Sequence, residues 1–264
     1  MKKVYEQLTL RDEFVFGKVT EDERICKMIL ESLLNKEIEI AGEPVREKFI
    51  KMKKEGKAVR FDLYVKDSNS RIFDTEMQNE GSNVDKRYLP KRSRYYHSAI
   101  DSDELKKGKS YLELSETYVI FICTYDPFDK GKYCYTFKKK CREIECLELE
   151  DGTVTIFFNT EGDLSKAPKE TAALLEYIKT GNVTNKVTLE LDAAVTRIRE
   201  NEEWRREYML SCMWEEDARN EGIRIGEEKG EEKTLVSLVK DKLLSISEAA
   251  KRLGITEEEF SKKL

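Results

Sequence analysis

The stretch that most constrains this chain runs from Val59 to Gln78, VRFDLYVKDSNSRIFDTEMQ. Val59 to Lys66 is rich in β-branched and aromatic residues, and Asp67-Ser68-Asn69-Ser70 is a cluster of turn formers. Arg71 to Gln78 resumes the strand, so the spacing predicts a β-hairpin. Successive side chains on a strand face opposite ways. Asp74, Glu76 and Gln78 then share one face of the second strand, and Phe73, Thr75 and Met77 the other. On the first strand Asp62 faces away from Phe61 and Leu63. Such a hairpin can bring Asp62 and Glu76 together with Gln78 beside them. Two converging carboxylates repel unless something positive lies between them, and a hard divalent cation, which prefers oxygen ligands, is the economical occupant. Acids on strands are also commonly just the solvated face of an edge hairpin. The apolar run around Asp62 and the neutral donor of Gln78 weigh toward a site, but pattern alone leaves both readings open.

Composition narrows the setting. The 264 residues suffice for one substantial core and an appendage. With 38% charged residues and no apolar run near the length of a membrane span, the expectation is a soluble, cytoplasmic protein. The start, MKKVYEQLTLRDEF, has two lysines but no apolar segment behind them, unlike a signal peptide. A net charge of −5 argues against indiscriminate coating of nucleic acid, yet local distribution decides binding. Basic residues cluster between Lys86 and Lys109, including Lys91, Arg92 and Arg94, while acids concentrate in the C-terminal third. The six cysteines form no CxxC pair, which disfavours structural zinc and fits free thiols in a reducing compartment.

Taken in order, Thr20 to Leu34 reads as a helix with Thr20 and Glu23 as a capping box. Ile38 to Ile50 reads as extended, broken by Gly42 and Pro44. Lys51 to Lys57 is a polar connection, and Asn79 to Asp85 a loop after the hairpin. Pro90 suits the first turn of a helix reaching about Leu105 and closed by Gly108. On it Arg92 and Tyr96 are one turn apart. A guanidinium holds phosphate bidentately and a tyrosine hydroxyl donates to phosphate or carboxylate; the other reading packs Tyr96 in the core under Arg92. The lone His97 reads as incidental to any chemistry. Tyr118 to Thr124 reads as a buried central strand, followed by a strand at Tyr133 to Lys138. A hairpin is expected between Glu143–Leu149 and Thr153–Phe158 across Asp151-Gly152. Beyond Pro168 the pattern is helical, over Thr171–Ile178 and Val187–Trp214. Gly222, Gly226 and Gly230 are four apart, which suits either a charged linker or a helix approached closely by a second one. Ser245 with Glu248 and Thr256 with Glu259 are capping boxes of a short terminal helix pair, better suited to packing than to base reading.

Asp62 followed by Glu76-Met77-Gln78 resembles the PD-(D/E)xK nuclease core, an Asp and then Glu-x-Lys on the next strand. With the upstream Asp12-Glu13-Phe14-Val15-Phe16-Gly17 and the downstream Lys91-Arg92-Ser93-Arg94-Tyr95-Tyr96, the stretch from about Leu8 to Asn159 resembles the Rpn family of recombination-promoting nucleases, the PD-(D/E)xK nuclease family transposases. The resemblance implies an α/β fold: a restriction-endonuclease-like core with a mixed sheet flanked by helices, followed by an all-helical C-terminal part. Residues 1–165 would be the nuclease-like domain, 166–220 a helical extension and 221–264 a charged, glycine-containing tail. It implies a metal-dependent DNA endonuclease linked to recombination or a mobile element. Asp62, Glu76 and the Met77 carbonyl would hold Mg²⁺, or Mn²⁺, and Asp62, Glu76 and Gln78 would be catalytic. Lys91, Arg92, Arg94 and Tyr96 would bind DNA, and the C-terminal helices would pair copies of the chain. The first helix of such folds can lend a further acid; Asp12, Glu23 and Glu31 are unranked candidates, and each taken singly reads more simply as a surface acid. Gln78 stands where the superfamily usually has Lys, and cannot supply a positive charge. That departure motivates a second hypothesis, a catalytically degenerate module that binds DNA or self-assembles. RNA as substrate stays open.

Overall fold

The computed structural model describes residues 3–51, 58–79 and 87–264. The connection expected at 51–57, the loop at 79–85 and Lys86 fall almost entirely outside them. The chain forms two units, Lys3–Trp204 and Arg205–Leu264.

The first unit opens with two helices where the sequence predicts one. Helix α1 (Glu13–Thr20) ends with the Thr20 hydroxyl donating to the carbonyl oxygens of Phe16 (2.8 Å) and Gly17 (3.1 Å). Helix α2 (Glu23–Leu34) is capped by Asp22, whose carboxylate accepts the N–H groups of Arg24 and Ile25. The capping box between Thr20 and Glu23 is therefore not formed, because Asp22, nearer the helix start, takes the unpaired N–H groups instead.

Strands β1 (Val45–Ile50), β2 (Val59–Lys66) and β3 (Ile72–Gln78) run as an antiparallel meander. The β2–β3 turn is held by Asp67, which accepts from the N–H groups of Asn69 and Arg71 and pairs with the Arg71 guanidinium. Helix α3 (Tyr88–Glu104), with Pro90 in its first turn, provides the crossover that lets β4 (Thr117–Cys123) lie parallel to β3. It ends at Leu105, ahead of Gly108, whose φ of +88° serves the turn beyond the helix. Strand β6 (Thr153–Asn159) lies parallel to β4, and β5 (Cys134–Phe137) closes the edge antiparallel to β6. The sheet order is β1-β2-β3-β4-β6-β5. The hairpin expected between Glu143–Leu149 and Thr153–Phe158 does not form. β6 is claimed on both sides by β4 and β5, and residues 139–149 fold back on themselves, the N–H of Leu149 meeting the carbonyl of Lys139 at 2.9 Å.

Both faces of the sheet are covered, so β3 and β4 are buried almost throughout. On one face α3 packs Leu89, Tyr96, Ala99 and Ile100 onto Phe61, Tyr64, Ile72, Val119, Phe121 and Phe157. Helices α4 (Lys169–Thr180) and α5 (Lys186–Glu200) join α1 and α2 in a helical layer, where the Thr171 hydroxyl donates to the Ser32 carbonyl at 2.6 Å. Leu33 of α2 and Thr171 of α4 line one cavity with Phe73, Tyr118, Val154 and Ile156, which puts these helices over the second face.

The helix expected over Val187–Trp214 is interrupted at Asn201, which ends α5; its side chain then accepts from Glu203 and Trp204 at the start of α6 (Glu202–Lys240). Gly222, Gly226 and Gly230 all lie inside α6, and a Cβ at any of them meets no atom within 4 Å among the described residues. In the second unit the last turns of α6 pack with α7 (Ile246–Leu253) and α8 (Glu257–Ser261) around Leu235, Ala249, Ala250 and Phe260. Ser245 and Thr256 cap those two helices; the expected capping box closes at Thr256 and Glu259, while at Ser245 the Glu248 carboxylate takes the hydroxyl rather than the backbone N–H, so that box is only half formed. The chain is thus a mixed α/β core followed by an all-helical region, α4 to α8.

Candidate active site

The ladder between β2 and β3 runs from Lys66↔Ile72 to Leu63↔Thr75. One step further, two carboxylates take over. The Asp62 N–H donates to Glu76 Oε1 at 3.0 Å, and the Met77 N–H donates to Asp62 Oδ2 at 3.2 Å. The strand phase changes at this point. Phe61 and Tyr64 should face opposite ways by strict alternation, yet their rings lie 5.9 Å apart, and Phe61 also meets Tyr96 of α3 at 5.0 Å.

The second strand keeps its alternation. Asp74 and Glu76 both face α3 and are fully buried, while Asp62 is 9% exposed. Arg92 of α3 reaches down to them. Its guanidinium pairs with Glu76 Oε2, donates to Gln78 Oε1 at 3.3 Å, and donates to the Tyr96 hydroxyl at 2.6 Å. That hydroxyl in turn donates to Glu76 Oε2 at 3.4 Å. The Gln78 amide also donates to the Met77 carbonyl at 3.1 Å. In a strand the N–H and C=O of one residue point to the same side. The Met77 N–H is turned toward Asp62, so its carbonyl is too.

Burial sets the electrostatics. Loss of solvent, then the charges of Glu76 and Glu13, push Asp62 up to about 8, against the pull of the Met77 N–H and Arg92. Burial also raises Glu76, and the Arg92 guanidinium is the largest opposing influence. Asp74 is held well above the ordinary carboxylate range by burial, Glu76 and Asp62. Neither of its oxygens meets a donor among the described residues. A buried acid beside a carboxylate and without donors is stable only with its proton on.

Asp62, Met77, Gln78 and Arg92 line a cleft of about 810 Å³, with Glu76 and Asp74 buried behind them. Arg60, Lys91 and the tyrosines Tyr88, Tyr95 and Tyr96 make its walls, with Glu13 at the rim. Glu13 pairs with Arg60 and bears electrostatically on both Asp62 and Glu76. Among the described residues, no group of three or more His, Cys, Asp or Glu side chains is arranged to hold a metal. What meets is the pair Asp62 and Glu76, with the Asp74 carboxyl beside Glu76.

Of the residues expected at a site, Asp62, Glu76, Met77, Gln78, Arg92 and Tyr96 therefore meet, and Lys91 lines the same cleft. Arg94 is exposed and is not part of the cleft lining. The three acids considered from the N-terminal segment lie elsewhere. Asp12 accepts from Thr9 and pairs with Lys3, Glu31 accepts from the Ile38 N–H, and Glu23 is exposed at the start of α2. Sequence reasoning missed Glu13 by one residue, and helix phase was the signal that decides between neighbours. It also passed over Asp74, although alternation already placed Asp74 beside Glu76.

The sequence model of the PD-(D/E)XK nuclease family transposase matches residues 13–172. The chain belongs to that family. Neither the curated proteins nor the solved structures gave a match. The part belonging to the PD-(D/E)XK nuclease family transposases starts at Glu13, holds every cleft residue named above, and stops inside α4. The positive charge against Glu76 comes from Arg92 on α3, and Gln78 beside it is neutral.

Proposed function

We propose that the protein is a metal-dependent DNA endonuclease that hydrolyses phosphodiester bonds, in the setting of recombination or a mobile element. The observation that carries this reading is the convergence of Asp62, on the cleft lining, with Glu76 buried behind it, and the Met77 carbonyl turned to the same side. The donor set is all oxygen, and its few protein ligands suit Mg²⁺, which keeps several waters and uses one or two carboxylates; Mn²⁺ fits the same set. Asp62, Glu76 and the Met77 carbonyl would hold the ion. Bound there, it supplies Lewis-acid chemistry, polarising a phosphoryl oxygen and making a water acidic.

The remaining roles fall to the chain itself. Gln78, fixed by Met77 and Arg92, is placed to orient the attacking water but carries no proton to give or take at neutral pH. Arg92 and Lys91 offer positive charge to the DNA backbone, and Tyr96 positions both Arg92 and Glu76. Glu13, at the rim, is the acid from the N-terminal helix that lies nearest the pair. The C-terminal helices are read as the segment through which copies associate. Six free cysteines suit a reducing, cytoplasmic setting, and among the described residues no helix is long and apolar enough to cross a membrane.

One observation favours a second reading. The Arg92–Glu76 pair already supplies a countercharge where the first reading puts a metal, which suits a DNA-binding module that has lost catalysis. The two separate on supercoiled plasmid DNA. The endonuclease nicks it with Mg²⁺ or Mn²⁺, and Asp62→Asn abolishes nicking while leaving DNA binding intact. Binding without cleavage at every concentration of either ion overturns the endonuclease reading.

A further inference from the structure

The first turns of α3 carry more than the phosphate-directed groups. Tyr88, Lys91, Arg92 and Tyr95 stand at i, i+3, i+4 and i+7, so one helix face is turned to the cleft. Tyr88, at the first position of α3, is 46% exposed. Tyr95 leans partly on the core cluster under α3 and partly lines the cleft. Seven residues of helix separate the two rings by roughly 10 Å along the axis. Between them lies Lys91, exposed and on the cleft wall. Cations alternating with aromatic rings are the arrangement that holds a nucleic-acid strand by its phosphates and its base faces together.

The depth of the acids says which form of strand enters. Glu76 has no exposed surface and Asp62 only 9%, so a phosphate reaches them only by descending between α3 and the hairpin. The cleft, at about 810 Å³, has the size of a small-ligand pocket and takes a nucleotide or two. A base inside a duplex has both faces covered by its neighbours and offers none to a tyrosine. Only a base outside its stack can use these rings.

We propose that the cleft accepts unpaired DNA, its bases stacked on Tyr88 and Tyr95 and its phosphate directed toward Asp62 and Glu76. This rests on the endonuclease reading for the role of the acids, and it names the substrate form: single-stranded DNA or a locally opened duplex. Tyr88 and Tyr95 are the residues that select it.

The test is fluorescence anisotropy of the full-length protein in EDTA. The probes are a short labelled single-stranded DNA oligonucleotide, the same strand as a closed duplex, the duplex with a central unpaired bubble, and an RNA strand of the same sequence. The single strand and the bubble are expected to bind more tightly than the closed duplex. Tyr88→Ala should weaken the single strand by roughly five- to a hundredfold and leave the duplex unchanged, while Tyr88→Phe, which keeps the ring, should bind as wild type. Tyr95→Ala should act likewise, and a thermal melt shows whether that variant keeps its fold; Tyr88, half exposed, carries the test if it does not. Equal affinity for single strand and duplex, or an unaffected Tyr88→Ala, overturns the inference. Tighter binding of the RNA strand overturns its assignment to DNA. Plasmid nicking that depends on Asp62 but not on Tyr88 leaves the endonuclease reading standing without this one. Tyr88-dependent binding of single strands with no nicking does the reverse.

Discussion

Arg92 on α3 and Glu76 on β3 form an ion pair at the base of the cleft, with Glu76 fully buried behind the lining and the Arg92 side chain 21% exposed. The pair joins the crossover helix to the strand that carries the site. Glu76 is raised by burial and pulled back mainly by this guanidinium, so the two residues are energetically one unit. Removing one partner strands the other.

Arg92→Ala should therefore destabilise the fold by about 3 kcal/mol, the typical cost of leaving a buried charge unpaired. Adding Glu76→Gln should recover most of that loss, because the buried charge disappears with its partner. Urea denaturation of both singles and the double closes the cycle. Additive losses would mean that the two side chains act independently.

Asp74 presents the opposite case, an acid whose replacement should help. Its oxygens meet no donor among the described residues and it faces Glu76. Asp74→Asn keeps the shape and a donor toward the neighbouring carboxylate, without the proton that Asp74 must take up on folding at neutral pH. At pH 7 the variant should be more stable than wild type by at least about 1 kcal/mol, and the gain should shrink as pH falls toward the ordinary carboxylate range. Asp74→Ala, which opens a hole behind Glu76, should be less stable. Equilibrium unfolding in urea at pH 7 distinguishes them.

His97 predicts a pH dependence remote from the cleft. Its two ring nitrogens lie 2.7 Å from the Thr117 hydroxyl on β4 and 3.0 Å from that of Thr155 on β6, so it bolts α3 to the sheet. Burial pulls it down to about 4 from its ordinary 6.5. The folded protein then binds fewer protons than the unfolded chain between those values. The stability His97 contributes is complete above about pH 6.5 and is lost as pH falls toward 4, by at most about 3 kcal/mol. In His97→Gln the difference from wild type should shrink steadily over that window in unfolding curves at pH 7, 6 and 5. A constant difference would mean that folding leaves the proton affinity of the imidazole unchanged.

Gly162 tests the turn after β6. A Cβ there would sit 2.4 Å from the Lys132 carbonyl oxygen, a backbone atom that Asn159 Nδ2 also holds at 3.0 Å. Gly162→Ala should cost about 2 kcal/mol by overpacking. Gly222→Ala, with nothing within 4 Å of its Cβ among the described residues and a helix around it, should gain up to about 1 kcal/mol. Thermal melts of the two variants should move in opposite directions.

The legible parts of the sequence were those where local pattern and tertiary demand agree. The turn at Asp67 to Ser70, the run at Tyr118 to Thr124 and the caps at Ser245 and Thr256 announce themselves, because each is set by neighbours in sequence. Asp62, Glu76 and Gln78 were visible through alternation and a resemblance. What stayed hidden was decided by distant partners. β6 had a plausible hairpin partner nearby in Glu143–Leu149, and parallel pairing with β4 overrode it. Phe61 changed face because two carboxylates end the ladder beside it. Arg92 reads from sequence as a phosphate binder, and only the packing of α3 on β3 reveals its hold on Glu76.

The central claim is that Asp62 and Glu76 together hold a divalent ion. Its most direct test is a Mn²⁺ titration of the full-length protein by isothermal calorimetry, beside Asp62→Asn and with folding of both checked by circular dichroism. Saturable binding to wild type and its loss in a folded Asp62→Asn are the expected results. Equal Mn²⁺ affinity in the two proteins, or none in either, would contradict it.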